Sequence, residues 1–290
     1  MIIRRILCPI DFSDAAAHAL EQGVALARWY GARVTVLHVH PSVAPTPADL
    51  EALHAHATTA CAPVASAGVG FDIVIAGGEP VRVILEQAAQ LSADAIVMGT
   101  HGTGGFQHLL LGSVTEKVLR QAPCPVLTVP PRAQATSSQP FARLLCAVDF
   151  SDSSLKAVDA AASLAKESGA ALTLLHVLEW PWHEPPIPTM EGVPPEQAQA
   201  LVDYRHYLES SARSRLAALG ASAAPDGPAP EVQVRFGKPY VELLDAAREG
   251  QADLIVIGVR GRNALDMGLF GSTTNQVVRR ATCPVLTITG

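Results

Sequence analysis

One glycine spacing occurs twice in this chain. Gly99-Thr100-His101-Gly102 is followed by nine residues and then Gly112-Ser113, and Gly258-Val259-Arg260-Gly261 is followed by nine residues and then Gly271-Ser272. Each copy of G-x2-G-x9-G-S comes after a short apolar run, Ala95-Ile96-Val97-Met98 or Leu254-Ile255-Val256-Ile257, and each leads into a helical pattern. Apolar runs of this length read as strands buried on both faces. Glycines let a backbone turn tightly and approach a phosphate with no Cβ in the way. A serine opening a helix adds a hydroxyl beside unpaired N–H groups at the positive end of the helix dipole. One such loop is weak evidence for anion binding; two at one spacing, each between strand and helix, are much stronger.

The repetition runs through the whole chain. The stretch Arg5-Ile6-Leu7-Cys8-Pro9-Ile10-Asp11-Phe12-Ser13-Asp14 is echoed 138 positions later by Arg143-Leu144-Leu145-Cys146-Ala147-Val148-Asp149-Phe150-Ser151-Asp152, and Leu37-His38-Val39 by Leu175-His176-Val177. Gly99 and Gly258 stand 159 apart, so the second half carries 21 extra residues between these points. Part of the excess falls in the Trp- and Pro-rich stretch around Trp180-Pro181-Trp182. In the first half, strands are expected near 3–10, 33–40, 70–76, 94–98 and 125–129, with helices near 14–30, 48–65, 80–91 and 113–121. In the second, a helix near 196–219 is longer than its counterpart. This alternation predicts an α/β fold: two tandem doubly wound domains, each a parallel sheet with helices on both faces. The expected boundaries are residues 1–130 for a first nucleotide-binding domain, 131–141 for a polar, proline-bounded linker, and 142–290 for a second domain with an insertion over 179–195. A chain of 290 residues suits two such cores.

Composition excludes some functions. The net charge is −6 and no cluster of Lys and Arg occurs, so there is no basic face for nucleic acid. No apolar run approaches the length of a bilayer span, and the first residues run straight into a strand without a signal-like stretch. A soluble cytoplasmic protein is the expectation. Five cysteines fit a reducing compartment. Cys8, Cys146, Cys124 and Cys283 fall in or beside apolar strands, where a small buried thiol is the expected role, and no disulfide or catalytic thiol is expected.

Asp11 and Asp149 end the first strand of each half. In a doubly wound sheet ligands bind beyond the carboxyl ends of strands, where the strand order reverses. Each aspartate either accepts hydrogen bonds from a ribose hydroxyl or an adenine amino group there, or merely ends its strand; the spacing favours the ligand contact. Asp14 and Asp152 are expected as caps of the following helices. Val39 and Val177 end the second strands and either meet a base or are plain core residues. His101 and Arg260 hold equivalent loop positions, from which they can offer positive charge to phosphate.

These features together resemble the universal stress protein family, in its ATP-binding branch, over both halves. The resemblance implies a five-stranded parallel sheet of order 3-2-1-4-5 in each domain. It implies ATP with adenine near Pro9, Asp11 and Val39, and phosphates over Met98, Gly99, Gly102, Gly112, Ser113 and Val114. The matching second-half positions are Ala147, Asp149, Val177, Ile257, Gly258, Gly261, Gly271, Ser272 and Thr273. The family's basic residue after the second glycine is matched by Arg262 but not by Thr103, and Thr273 stands where the first half has Val114. Asp266, in the loop 263–268, either repels a nucleotide or helps hold a metal ion such as Mg2+. The resemblance also implies that the last strands, 126–129 and 285–288, pair edge to edge, here between the two halves as an intramolecular pseudo-dimer. A further homodimer is compatible with this.

Three functions stay open at this point: a non-enzymatic ATP-dependent stress-response regulator, a slow ATPase or self-phosphorylating protein, and a nucleotide-free interaction module. ADP and AMP remain alternatives to ATP. Neither glycine loop carries a lysine, no G-x-x-x-x-G-K-[ST] occurs, and no positioned base is evident, which counts against dedicated phosphoryl transfer. His38 and His40 share a strand face, but they lack the further ligands that zinc requires. Trp180 and Trp182 either cap a ligand pocket, cover the interface between halves, or pack on their own domain.

Overall fold

The computed structural model describes residues 1–42, 46–100, 111–131, 141–179, 195–225, 227–260 and 271–289. The first half comprises β1 (Arg5–Ile10), α1 (Asp14–Tyr30), β2 (Arg33–His40), α2 (Pro47–Ala60), α3 (Ala62–Ser66), β3 (Phe71–Gly77), α4 (Pro80–Gln90), β4 (Ala95–Gly99), α5 (Ser113–Gln121) and β5 (Val126–Val129). The second comprises β6 (Arg143–Ala147), α6 (Asp152–Ser168), β7 (Ala171–Leu178), α7 (Pro195–Ala223), β8 (Glu231–Phe236), α8 (Pro239–Glu249), β9 (Leu254–Gly258), α9 (Ser272–Arg280) and β10 (Val285–Ile288).

The strands form one sheet of order β3-β2-β1-β4-β5-β10-β9-β6-β7-β8. Within each half all neighbours are parallel. The two five-stranded units meet where β5 and β10 pair antiparallel, with Thr128 opposite Val285 and Thr287 opposite Val126. Each threonine hydroxyl also donates to the carbonyl opposite, Thr128 to Val285 at 3.2 Å and Thr287 to Val126 at 3.0 Å. Both are fully buried, and a buried hydroxyl without a partner would cost stability. The junction removes two free edges, which would otherwise invite pairing with other chains. Because the halves run antiparallel across it, the carboxyl ends of their strands open at opposite ends of the sheet.

Apolar residues from β1, β4, β6 and β9 cover both faces, as their unbroken sequence runs require. Cys8, Val97, Cys146 and Val256 belong to the core shared with α1 and α6, while Leu7, Ile96, Leu145 and Ile255 belong to that shared with α4, α5, α8 and α9. Fully burying one such side chain contributes about 1.5–3 kcal/mol. Helices α1 and α6 stop at Gly31 and Gly169, whose left-handed φ of 63° and 70° only glycine adopts without cost. Tyr30 and Glu167 join the ends of these two helices by a hydrogen bond across the halves.

Two helix expectations change. The single helix expected near 48–65 is α2 and α3, divided at Cys61, two residues before a proline that has no N–H to continue the ladder. Its second-half counterpart, α7, is one helix of 29 residues, extending past the expected end at 219 to Ala223. The linker stretch 132–140 and insertion residues 180–194, including both tryptophans, lie outside the described residues. No described helix is long and apolar enough to cross a membrane.

Candidate functional site

Each half builds the same turn after its first strand. Phe12 and Phe150 both adopt φ 62°, a left-handed conformation uncommon for a bulky side chain. Neighbouring contacts hold it in place. Asp11 Oδ1 accepts from the Ser13 N–H at 3.1 Å and from its hydroxyl at 2.5 Å; Asp149 Oδ1 does the same for Ser151 at 3.0 and 2.5 Å. The Phe12 ring lies 4.5 Å from the His38 ring, and Phe150 4.8 Å from His176. His38 Nδ1 donates to the Ile10 carbonyl at 3.0 Å and His176 Nδ1 to Val148 at 2.6 Å, so each Nδ1 carries the proton. In the second half the Arg215 guanidinium stands 3.9 Å above the Phe150 ring.

This turn corrects the expected caps. Ser13 and Ser151 are the N-caps of α1 and α6, their hydroxyls accepting from the Ala16 and Ser154 N–H groups. Asp14 and Asp152 instead occupy the first helical position, where their charge favours the positive end of the dipole. Asp11 and Asp149 act one step back, orienting the capping serine.

The glycine loops leave and return through a pinned neck. The Thr100 N–H donates to Val129 at 3.2 Å and the Gly112 N–H to Thr100 at 2.8 Å; Val259 to Ile288 at 3.0 Å and Gly271 to Val259 at 3.1 Å repeat the pattern. Beneath each neck a buried threonine hydroxyl donates to the first glycine carbonyl, Thr115 to Gly99 at 2.9 Å and Thr274 to Gly258 at 2.8 Å. The first glycine also has a packing role that the spacing alone does not disclose. A Cβ on Gly99 would stand 2.9 Å from the Ala15 carbonyl oxygen, and one on Gly258 2.8 Å from the Ser153 carbonyl carbon. These glycines admit the first turn of α1 and α6 against the strand end.

At the far side of each neck, α5 and α9 start on Gly112 and Gly271 with no side-chain cap. Ser113 and Ser272 are exposed at the first helical position, followed by half-buried Val114 and Thr273. An uncapped first turn leaves backbone donors available for an anion. Across from it, β1 pairs with β4 and β6 with β9, the point where strand order reverses and ligands of such sheets bind. Pro9, Asp11 and Val39 are half-buried there and Met98 is buried; Asp149 and Val177 are half-buried and Ala147 and Ile257 buried. Val39, Met98 and Val114 belong to one apolar cluster, which in the second half includes Ala147, Val177 and Ile257 but not Thr273. Arg260 is exposed at the loop entry. His101, Gly102, Gly261, Arg262 and Asp266 lie outside the described residues.

A family model described as the universal stress protein family matches residues 3–130 and again 140–289. The chain belongs to the universal stress protein family. About half of the chain suffices to match some relatives along nearly their whole length. The universal stress protein YxiE of Bacillus subtilis is 34% identical over 150 residues, covering 51% of this chain and 99% of that protein. A Thermus aquaticus universal stress protein is 38% identical over 136 residues, 44% of this chain and 99% of its own length. A solved universal stress protein from Archaeoglobus fulgidus spans 98% of both chains with a TM-score of 0.67 and 22% identity, a likeness of fold. This universal stress protein thus carries the family fold twice in one chain.

Two cavities among the described residues lie away from these necks. One of about 480 Å3 lies between the C-terminal end of α6, the start of β7 and residues 223–231, and one of about 290 Å3 lies between α8 and α9. Among the described residues no group of three His, Cys, Asp or Glu side chains could hold a metal ion. His38 and His40 do not act together: His40 Nδ1 accepts from the Ser42 N–H at 3.1 Å while His38 faces Ile10. Sequence reasoning passed over Phe12 and Phe150, and Thr115 and Thr274. Both pairs recur at the offsets of 138 and 159 that mark the repeat.

Proposed function

We propose that this universal stress protein binds one adenine nucleotide, ATP, in each half, and that occupancy of the two sites sets a surface through which it acts as a stress-response regulator. The observation that carries the reading is the paired geometry at each switch point. An uncapped helix N-terminus opening on glycine, at Gly112-Ser113 and Gly271-Ser272, follows the strand that pairs with the one preceding Asp11 or Asp149, and Val39 and Met98, or Val177 and Ile257, lie in the apolar cluster below. Phosphates suit the helix N-termini. The walls formed by Val39 and Met98, or Val177 and Ile257, suit the base. The carboxylates suit ribose hydroxyls or the adenine amino group. His101, Gly102, Gly261, Arg260 and Arg262 would complete the phosphate side. Mg2+ would enter with the phosphates. The five free thiols suit the reducing cytoplasm, where we place the protein.

Because the strand ends of the two halves point in opposite directions, each site takes its own nucleotide. Ser113→Glu and Ser272→Glu test this with little risk to folding, since a carboxylate at the first helical position favours the helix dipole while repelling phosphate. Calorimetric titration with Mg-ATP is expected to give two sites per chain, one in either single variant and none in the double. Two sites remaining in the double variant would refute the assignment. Phosphate release during the same titration would move the protein to the class of slow ATPases.

A further inference from the structure

The first turns of α1 and α6 differ at one position beside the strand end, Ala15 in the first half and Ser153 in the second. Ser153 lies in the first turn of α6, only 5% exposed, and its Oγ donates to the carbonyl of Arg260. The capping Ser151 hydroxyl reaches the same carbonyl at 3.3 Å and lies 3.3 Å from Ser153 Oγ. Arg260 is the last described residue before Gly261 in the second half's glycine stretch. At the corresponding place in α1 stands Ala15, which has no hydroxyl to donate. We propose that Ser153 is a positioning residue that holds the entry to the second glycine loop, and that it makes the second half the tighter of the two adenylate sites. The inference rests on the adenylate reading above.

Three observations support it. The Val259 backbone is pinned on both sides, its N–H to Ile288 and its carbonyl by Gly271, so the Ser153 bond extends the anchored backbone by one residue beyond the neck. The hydroxyl has room only because residue 258 is glycine: a Cβ there would stand 2.6 Å from Ser153 Oγ. The donor side chain is also buried in the first turn of α6, although the Arg260 end of the bond is part-exposed. A loop whose entry is already ordered charges the ligand less conformational entropy on binding. In the first half, Gly99 leaves the same absence of a Cβ beside Ala15, so a serine at 15 can be accommodated.

Hydrogen exchange on the full chain tests both parts, with ATP as the probe. Without nucleotide, Ser153→Ala is expected to speed amide exchange in peptides spanning 258–262 and leave those spanning 99–103 unchanged. Titrating ATP and following protection of each loop then gives a site-resolved affinity. Ser153→Ala is expected to weaken the second site by roughly threefold to tenfold, the factor one neutral hydrogen bond supplies. Ala15→Ser is expected to slow exchange over 99–103 and tighten the first site by a similar factor. Unchanged exchange in Ser153→Ala would remove the anchor. Faster exchange with both affinities unchanged would show that the anchor does not set binding, and would overturn the inference while leaving the two sites standing. Protection of neither loop by ATP in any variant, the unmodified chain included, would instead bring down the adenylate reading, and this inference with it.

Discussion

The first turns of α1 and α6 do the same work with different residues. In the first half Ala15 and Ala16 follow the capping Ser13; in the second, Ser153 and Ser154 follow Ser151 and add hydroxyls that bond Arg260 and Ser151. Elsewhere the halves diverge further: α2 and α3 fill one flank of the first, and α7 is a single long helix in the second. Yet the aspartate-held cap, the left-handed phenylalanine, the pinned neck and the threonine beneath it are present in both. The geometry at the switch point persists while its surroundings change. That pattern is expected if the neck is what the fold must present and the flanks serve packing alone.

The largest expected effect is steric. Gly99→Ala and Gly258→Ala each drive a Cβ into the helix that faces it, where overpacking costs about 1–3 kcal/mol. Gly258→Ala is expected to be the worse of the two, because its Cβ meets Ser153 Oγ at 2.6 Å and the Ser153 carbonyl carbon at 2.8 Å, whereas Gly99 meets Ala15 atoms at 2.9 Å and beyond. Thermal unfolding of the two variants reads the difference. Adding Ser153→Ala to Gly258→Ala should rescue it only in part, since the backbone clash remains. Full rescue would place the whole contact in the hydroxyl.

Next in size is the aspartate that orients each cap. Asp11→Ala releases Ser13 and with it the left-handed turn at Phe12, at a cost of about 1–2 kcal/mol. Asp149→Ala is expected to cost less, because Ser151 retains Ser153 and Arg260 as partners. Denaturant midpoints measured on both variants check the order, and equal losses would show that the second-half hydroxyls do not support the cap.

These partners mark the limit of what the sequence discloses. The glycine motifs and the equivalence of Asp11 with Asp149 were legible because repetition and spacing are properties of the chain itself, whereas the strand order came from the family resemblance those motifs carry. The choice of Ser13 over Asp14 as cap was not, because both residue types cap helices well and only backbone geometry separates them. The packing role of Gly99 was hidden too: its neighbour Ala15 is 84 positions away in sequence. Ser153 and Arg260 meet across 107 positions, and no local pattern announces such a contact. The break at Cys61 could have been read from the proline that follows at 63.

The smallest expected effect concerns Cys124 and Cys283, equivalent thiols beside the equivalent carboxylates Asp94 and Asp253. Burial first, and then the nearby carboxylate, pushes Cys124 from its ordinary 9.0 up to about 11. Burial likewise pushes Cys283 up to about 12. Cys124 is buried, whereas Cys283 is only half-buried, short of the full burial expected for it. A raised thiol pKa favours the protonated form in the fold. The associated stability is therefore present below about pH 9 and declines as pH climbs toward 11, where the unfolded chain ionises and the folded one does not. Iodoacetamide labelling of the native protein at pH 8 is expected to be slow at all five cysteines and to reach Cys283 before Cys124. The reverse order would contradict the difference in exposure.

The central claim is that both necks hold an adenine nucleotide. Denaturing the purified protein and counting the released adenylate per chain by anion-exchange chromatography tests it most directly. About two ATP per chain is the result two occupied sites predict. None, together with no rise in melting temperature on adding Mg-ATP, would contradict it.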